Sequence, residues 1–209
     1  MKKLFVSALL IVSCCAVFAK DGDIVLPKPD LKGGKPFMQC VAERRTSRSF
    51  SAEALPLQTV SEILFVADGI TRKDGRKTVP TARNKQNQSV YAFTSDGVYL
   101  YNAKKHQLEL KIKGDHRAKC GLQDFHKVAP LVLVFVSDMD AVGNTEQQQA
   151  LYAGNHSGSA SQNVYLYAAS KGLSTVVCGL LNRKQLKELL KLADDHMVIF
   201  SQPIGYPGK

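Results

Sequence analysis

Tryptophan is absent from the 209 residues, and cysteine is scarce, with five in all. Five thiols in a chain this long are too few for a disulfide scaffold. No Cys-x-x-Cys pair occurs, and His106, His116, His126, His156 and His196 are scattered without zinc-ligand spacing, which argues against a zinc centre. Repeats and low-complexity tracts are missing too. With 44% hydrophobic and 22% charged residues, wholesale disorder and collagen-like or mucin-like character are excluded. Lys and Arg outnumber acids 28 to 18, a net charge of +10. No basic stripe interleaved with aromatics accompanies that charge, so no nucleic-acid partner is expected. The length suits one domain with a substantial core.

The N-terminus carries a targeting pattern. Lys2 and Lys3 precede an apolar run from Leu4 to Phe18, which Lys20, Asp21 and Asp23 end. The run is short for a bilayer-spanning helix and suits a secretory signal over residues 1–19. Val17-Phe18-Ala19 offers a cleavage site for soluble release to the periplasm or the medium. Ile11-Val12-Ser13-Cys14 offers a lipobox instead, and membrane attachment is expected only if Cys14 is lipidated. No twin-arginine pair precedes the run, so export would be unfolded and any cofactor acquired outside the cytoplasm. Cys40, Cys120 and Cys178 would remain. Their odd number leaves at least one thiol free or paired between chains.

Residues 20–35, rich in Pro, Gly, Lys and Asp, read as an extended arm, and residues 36–209 as one domain. Helices are expected at 36–44 and 57–67. In the second, Val60, Ile63, Leu64 and Ala67 recur at helical spacing, and Thr59 with Glu62 could form a capping box. Residues 70–87 lack periodicity and form a loop long enough to be functional. Strands at 89–93 and 98–101 flank Asp96-Gly97, a hairpin signal, with a third strand at 107–112. A helix is expected at 117–127. Leu131–Val136 reads as a central strand. A helical tract spans 145–171, and Gly154 and Gly158 allow a break in it. Asn182 caps a short helix, and Met197–Phe200 is a last strand. Helices and strands mix without βαβ alternation, so the class is α+β.

Three segments could carry chemistry. Arg44-Arg45-Thr46-Ser47-Arg48-Ser49 puts three guanidiniums and three hydroxyls in one turn. Such forked donors match phosphate oxygens, although the same turn also reads as a solvated basic loop. In Pro80-Thr81-Ala82-Arg83-Asn84-Lys85-Gln86, Asn84 and Gln86 lie two apart. In an extended segment they would face one way and suit the polar edge of a heterocycle; a polar surface loop is the alternative. In Gly172–Leu181 an apolar segment meets Gly179, whose bare backbone can approach a flat ring; a core strand and turn is the alternative. Cys178, flanked by apolar residues, reads as inert core rather than a nucleophile. Lys209 ends the chain after Gly205-Tyr206-Pro207-Gly208.

In this order and register, residues 44–50, 80–86, Gln162-Asn163, 172–179 and the Gly-Tyr-Pro tail resemble the FMN-dependent nitroreductase family, over about 35–209. Residues 69–76 and 96–101 look closer to the branch containing azoline-oxidising dehydrogenases. The resemblance implies a central, mostly antiparallel sheet flanked by helices, and an intertwined homodimer with FMN at its interface. It assigns Arg44, Arg45, Thr46, Arg48 and Lys209 to the FMN phosphate and ribityl chain. Cys178 and Gly179 would lie near the flavin ring, with Gln123 at its pyrimidine edge. Pro80, Thr81, Asn84 and Gln86 would reach the flavin from the partner subunit. Two electrons would pass by ping-pong from a reductant such as NAD(P)H to a small organic acceptor, with no catalytic acid or base in the protein. A flavin-binding module without turnover is the alternative. Asn87-Gln88 stands where many members have Pro-Trp, and Thr46 and Thr81 where Ser is commoner.

Overall fold

A computed structural model describes residues 21–209. The export signal and Cys14 lie outside them. Seven strands form one sheet in the order β1-β4-β3-β2-β5-β7-β6, with every neighbouring pair antiparallel. They are β1 (Ile24–Val25), β2 (Gln88–Phe93), β3 (Gly97–Asn102), β4 (Gln107–Lys113), β5 (Leu131–Asp138), β6 (Ser174–Thr175) and β7 (His196–Gly205). Five helices accompany them: α1 (Phe37–Glu43), α2 (Leu57–Asp68), α3 (Phe125–Val128), α4 (Glu146–Lys171) and α5 (Arg183–Leu190). This is the α+β class expected. No helix among the described residues is long and apolar enough to cross a membrane.

β5 lies between β2 and β7, and its residues from Leu131 to Ser137 are buried, which explains its unbroken apolar run. Alternation along it supplies two cores. Leu131, Leu133 and Phe135 pack with Ile63, Leu64 and Ala67 of α2 and Ala160 and Val164 of α4. Val132, Val134 and Val136 pack on the other face with Cys120, Val176 and Leu186. The N-terminal arm joins the sheet through β1, where Ile24 pairs with Leu108, and Leu26 is buried.

Helix ends follow local chemistry. Thr145 caps α4, its hydroxyl accepting the Gln148 N–H at 3.3 Å. Gly172 ends α4 in the left-handed region at φ 70°, where a side chain would be strained. Asn182 caps α5 through the Gln185 N–H at 3.0 Å.

Three expectations change. Gly154 and Gly158 do not break α4, which runs unbroken for 26 residues. Two glycines cost about 2 kcal/mol in helix propensity, and burial of Ala153, Ala160, Val164 and Ala168 offsets it. The helix expected at 117–127 is two pieces, a 3-10 turn at Arg117–Cys120 and the short α3. Between them Gly121 is fully extended, and the His126 ring occupies the space where its Cβ would be. The capping box of Thr59 and Glu62 does not form, because α2 starts at Leu57 behind Pro56.

Glu62 instead ties three segments together. Its carboxylate accepts from Gln58 Nε2 at 2.8 Å, Tyr167 Oη at 2.7 Å and the Asp30 N–H at 3.3 Å, with Lys171 Nζ at 3.1 Å. Burial alone would raise its pKa, but hydrogen bonds from Gln58, Tyr167, Lys171 and Asp30 outweigh burial and hold it at about 2. A carboxyl depressed on folding stabilises above its unfolded pKa, near 4.5, and that contribution is lost as pH falls towards 2. Glu62→Gln should therefore lower stability at pH 7 and flatten acid unfolding between pH 4.5 and 2, read by circular dichroism during acid titration. Leu64→Ala should cost about 2–5 kcal/mol in denaturant unfolding, because Leu64 is fully buried between α2 and the sheet.

Candidate functional site

The arginine turn leaves the end of α1 and crosses the C-terminal half of α4. The Arg44 guanidinium sits 5.3 Å from the centroid of the Tyr165 ring, a stacking that holds a cation without neutralising it. The Tyr165 hydroxyl accepts the Val177 N–H at 2.9 Å and shares a 3.1 Å hydrogen bond with Thr46 Oγ1. The Ser47 N–H donates to Thr175 O at 3.0 Å, and Ser174 Oγ donates to Ser47 Oγ at 2.9 Å. One tyrosine therefore joins the turn to the segment after α4.

The C-terminal tail closes over the same turn. Phe50 bridges Pro207, and the Ser51 N–H donates to Tyr206 O at 2.9 Å. A Cβ on Gly208 would fall 2.5 Å from Ser49 Oγ, so only glycine passes there without displacement. Lys209 is the next residue. A cavity of about 520 Å³ opens here, with Lys35, Arg44, Arg45, Tyr165, Ser174 and Pro207 in its wall. Among the described residues no carboxylate pairs with Arg44, Arg45 or Arg48, whereas Glu43 is taken by Lys35 at 2.6 Å.

Cys178 and Gly179 differ in what they offer. Cys178 exchanges both backbone hydrogen bonds with Ser201, at 2.8 and 3.0 Å. Its backbone is spent on the sheet. Among the described residues the Gly179 N–H has no hydrogen-bond partner, and a Cβ there would meet nothing closer than 4.0 Å. The Cys178 thiol is pushed up to about 11 by burial, with nearby Arg48 opposing, so it stays protonated. Cys40, Cys120 and Cys178 are all buried free thiols. Gln123 lies beside this segment, because the Leu122 N–H reaches Leu180 O at 3.3 Å.

The 80–86 loop is elsewhere. It is coiled rather than extended: Ala82–Asn84 form a 3-10 turn, and Arg83, Asn84 and Gln86 have φ of 52°, 53° and 48°. Each left-handed side-chain-bearing residue costs on the order of 1 kcal/mol, least for Asn. Asn84 and Gln86 do meet, Gln86 Nε2 donating to Asn84 Oδ1 at 3.3 Å and to Gly75 O at 3.1 Å. Thr81 Oγ1 accepts the Gln86 N–H at 2.9 Å. Pro80 leads into this turn. The loop is anchored to α4 by His156, nine residues before Tyr165. Nine residues are about 13 Å of helix and half a turn out of phase, and no loop residue lines the cavity beside Arg44. The arginine turn and the 80–86 loop thus lie apart, anchored half a turn out of phase on one helix.

The profile of the nitroreductase family matches residues 41–206. The chain belongs to the nitroreductase family. The match covers the arginine turn, the 80–86 loop and the 172–179 segment. A protein named as a candidate nitroreductase of Methanocaldococcus jannaschii is 30% identical over 174 residues, 78% of this chain and 87% of its own. The crystal structure of a candidate nitroreductase from Ralstonia eutropha superposes with a TM-score of 0.84 at 38% identity, covering 90% of each chain. One from Anabaena variabilis gives 0.74 at 19% identity, covering 88% of this chain and 41% of that one, and so supports the nitroreductase fold alone.

Tyr165, Lys35 and His156 carry no signal in the amino-acid order that marks them for this region. Tyr165 looks like one more apolar position on a buried helix stripe, and His156 like one of five scattered histidines. Only the fold brings them to the turn and the loop. Tyr165→Phe removes the partner of the half-buried Val177 N–H and of Thr46, and should cost about 1 kcal/mol. It should also lower the protection of the Val177 amide in hydrogen exchange.

Proposed function

We propose that this nitroreductase-family protein is an exported, FMN-dependent oxidoreductase that works as a homodimer. It takes two electrons from a reductant such as NAD(P)H and, in a separate half-reaction, gives them to a small organic acceptor. The observation that carries this reading is the pair of cations without carboxylate partners among the described residues, Arg44 and Arg45, in the wall of a cavity that the C-terminal tail borders through Pro207, with Arg48 following in the same turn. A phosphate monoester brings nearly two negative charges, and burying it requires several cations around it. Lys209, one residue past the docked Gly208, supplies a further one.

The residues fit a flavin beyond its phosphate. The bare Gly179 backbone leaves both space and a free N–H, the combination a flat heterocycle needs at close approach. The redox chemistry belongs to the flavin when bound. The chain's own residues have other tasks. Arg44, Arg45, Thr46, Arg48 and Lys209 neutralise and anchor the phosphate end, Tyr165 fixes the turn, and Gly179 and Gln123 face the ring end. Cys178 takes no part as a nucleophile, because its thiol is protonated at working pH.

Homodimer assembly follows from the separation of turn and loop, since Pro80, Thr81, Asn84 and Gln86 can complete a site only on a second copy. Exposed Phe37, Met38 and Val41 on α1 and Leu151 and Tyr152 on α4 supply apolar area for that contact. Within the family we assign the chain to the azoline-oxidising branch, on the stretches 69–76 and 96–101. Export rests on the signal pattern of residues 1–19.

Protein reconstituted with FMN should show a bound-flavin absorbance spectrum that bleaches when NADPH is added anaerobically. Bound flavin that no donor bleaches would mark a flavin-binding module, and no binding at all would end the reading. Arg44→Glu and Arg48→Glu should each weaken FMN binding by about 100-fold or more, because a buried anion loses a cation and gains a like charge. Retention of FMN by both variants would remove the phosphate assignment.

A further inference from the structure

The strained 80–87 loop is held from beneath by a histidine that the flavin reading does not use. His156 is buried in the middle of α4. Its Nε2 lies 2.9 Å from the Ala82 amide nitrogen, and its Nδ1 lies 2.8 Å from Asn87 Oδ1. Asn87 Nδ2 donates onward to Ser137 Oγ at 2.6 Å, and Ser137 Oγ to Asp138 O at 3.4 Å. Asn87 O accepts the Asp138 N–H at 2.9 Å. These contacts clamp both ends of the loop, Ala82 and Asn87, to one imidazole and to the end of β5.

The direction of the chain is fixed by chemistry. A backbone N–H can only donate, so Nε2 must carry a lone pair. The ring is then neutral with its proton on Nδ1, which donates to the Asn87 carbonyl oxygen. Asn87 donates in turn to Ser137, whose hydroxyl ends on a main-chain carbonyl. Every donor has an acceptor, and a second proton on the ring would set an N–H against the Ala82 N–H.

We propose that His156 is the positioning residue of the 80–87 loop: its neutral ring holds Arg83, Asn84 and Gln86 in their left-handed path, and ring protonation releases the loop and with it the grip on the partner subunit's flavin. The last clause rests on the flavin reading above, while the loop restraint does not.

The surroundings agree with a neutral ring. Tyr152 stacks on it from one turn earlier on α4, with centroids 6.1 Å apart. The cleft beside Tyr152 carries Arg83 and Lys85 from the loop and Asp140 from just after β5, and Asp138 ends β5 next to Ser137. These charges of opposite sign do not outweigh burial at the ring. Burial lowers the His156 pKa from its ordinary value of 6.5. With the folded pKa below the unfolded one, the restraint is complete above pH 6.5 and is lost as pH falls below it.

Two variants separate the ring's contacts. In His156→Gln the side-chain carbonyl can reach the Nε2 position and accept the Ala82 N–H without titrating. In His156→Asn the amide can replace Nδ1–H towards Asn87 but leaves Ala82 without an acceptor. Two quantities are measured at pH 7.5 and pH 5: the exchange protection factor of the Ala82 amide in flavin-free protein, and the dissociation constant for FMN. In the wild type, protection should fall at least tenfold at pH 5. In His156→Gln it should stay constant, and in His156→Asn it should be low at both pH values. FMN affinity should follow the same order. Because the FMN phosphate itself titrates near pH 6, the informative quantity is the wild-type loss in excess of that in His156→Gln.

Equal pH profiles in the wild type and His156→Gln, for Ala82 protection, would overturn the proposal even if FMN binds normally. The expected protection pattern without FMN binding at either pH would retain the histidine's hold on the loop and reject the flavin reading. Circular dichroism of all three proteins at both pH values separates local release from global unfolding.

Discussion

Helix α4 buries one broad face, and each edge of that face carries one polar residue that organises a loop. Tyr165 ties the arginine turn to the segment leading to Gly179, and His156 ties down the 80–87 loop. The sheet beneath, centred on β5, holds α4 in place through Ala160, Val164 and the two leucines of β5 that face it. If α4 rolled on that sheet, both loops would lose their anchors together. The half-turn between the two residues separates the arginine turn from the 80–87 loop within one chain.

Electrostatics then sorts the residues by role. Glu43 and Glu62 are engaged by lysines and hydrogen bonds, so they do not cancel the charge of the arginine turn. Arg44 lies on an aromatic face, which steadies a guanidinium while leaving its donors free. A phosphate-sized dianion is the ligand class that this arrangement suits. The Cys178 thiol is held protonated by burial.

The fold was largely legible because its signals are local and periodic. The alternation around Asp96-Gly97, the apolar run of β5, the caps at Thr145 and Asn182 and the stop at Gly172 each act within a few residues. Errors arose where a distant contact overrode a local preference. Gly121 breaks the expected 117–127 helix because the His126 ring packs against it. Gly154 and Gly158 do not break α4 because packing on the sheet outweighs their low propensity. Glu62 reaches Tyr167 and Asp30 rather than capping its own helix.

The arginine turn, the 80–86 loop and the Gly179 segment stand out in the chain as residue types suited to a phosphate and a heterocycle, and their order carries the family resemblance. Their chemistry is a property of side chains and needs no coordinates. The amino-acid order did not reveal that the arginine turn and the tail share one cavity while the loop lies across the helix, nor that Cys178 spends its backbone on Ser201. It also hid Tyr165 and His156, which look like ordinary helix positions until packing gives each a partner more than sixty residues away in the chain. Such pairings depend on how helix and sheet bury one another, and that is settled only when the whole core closes.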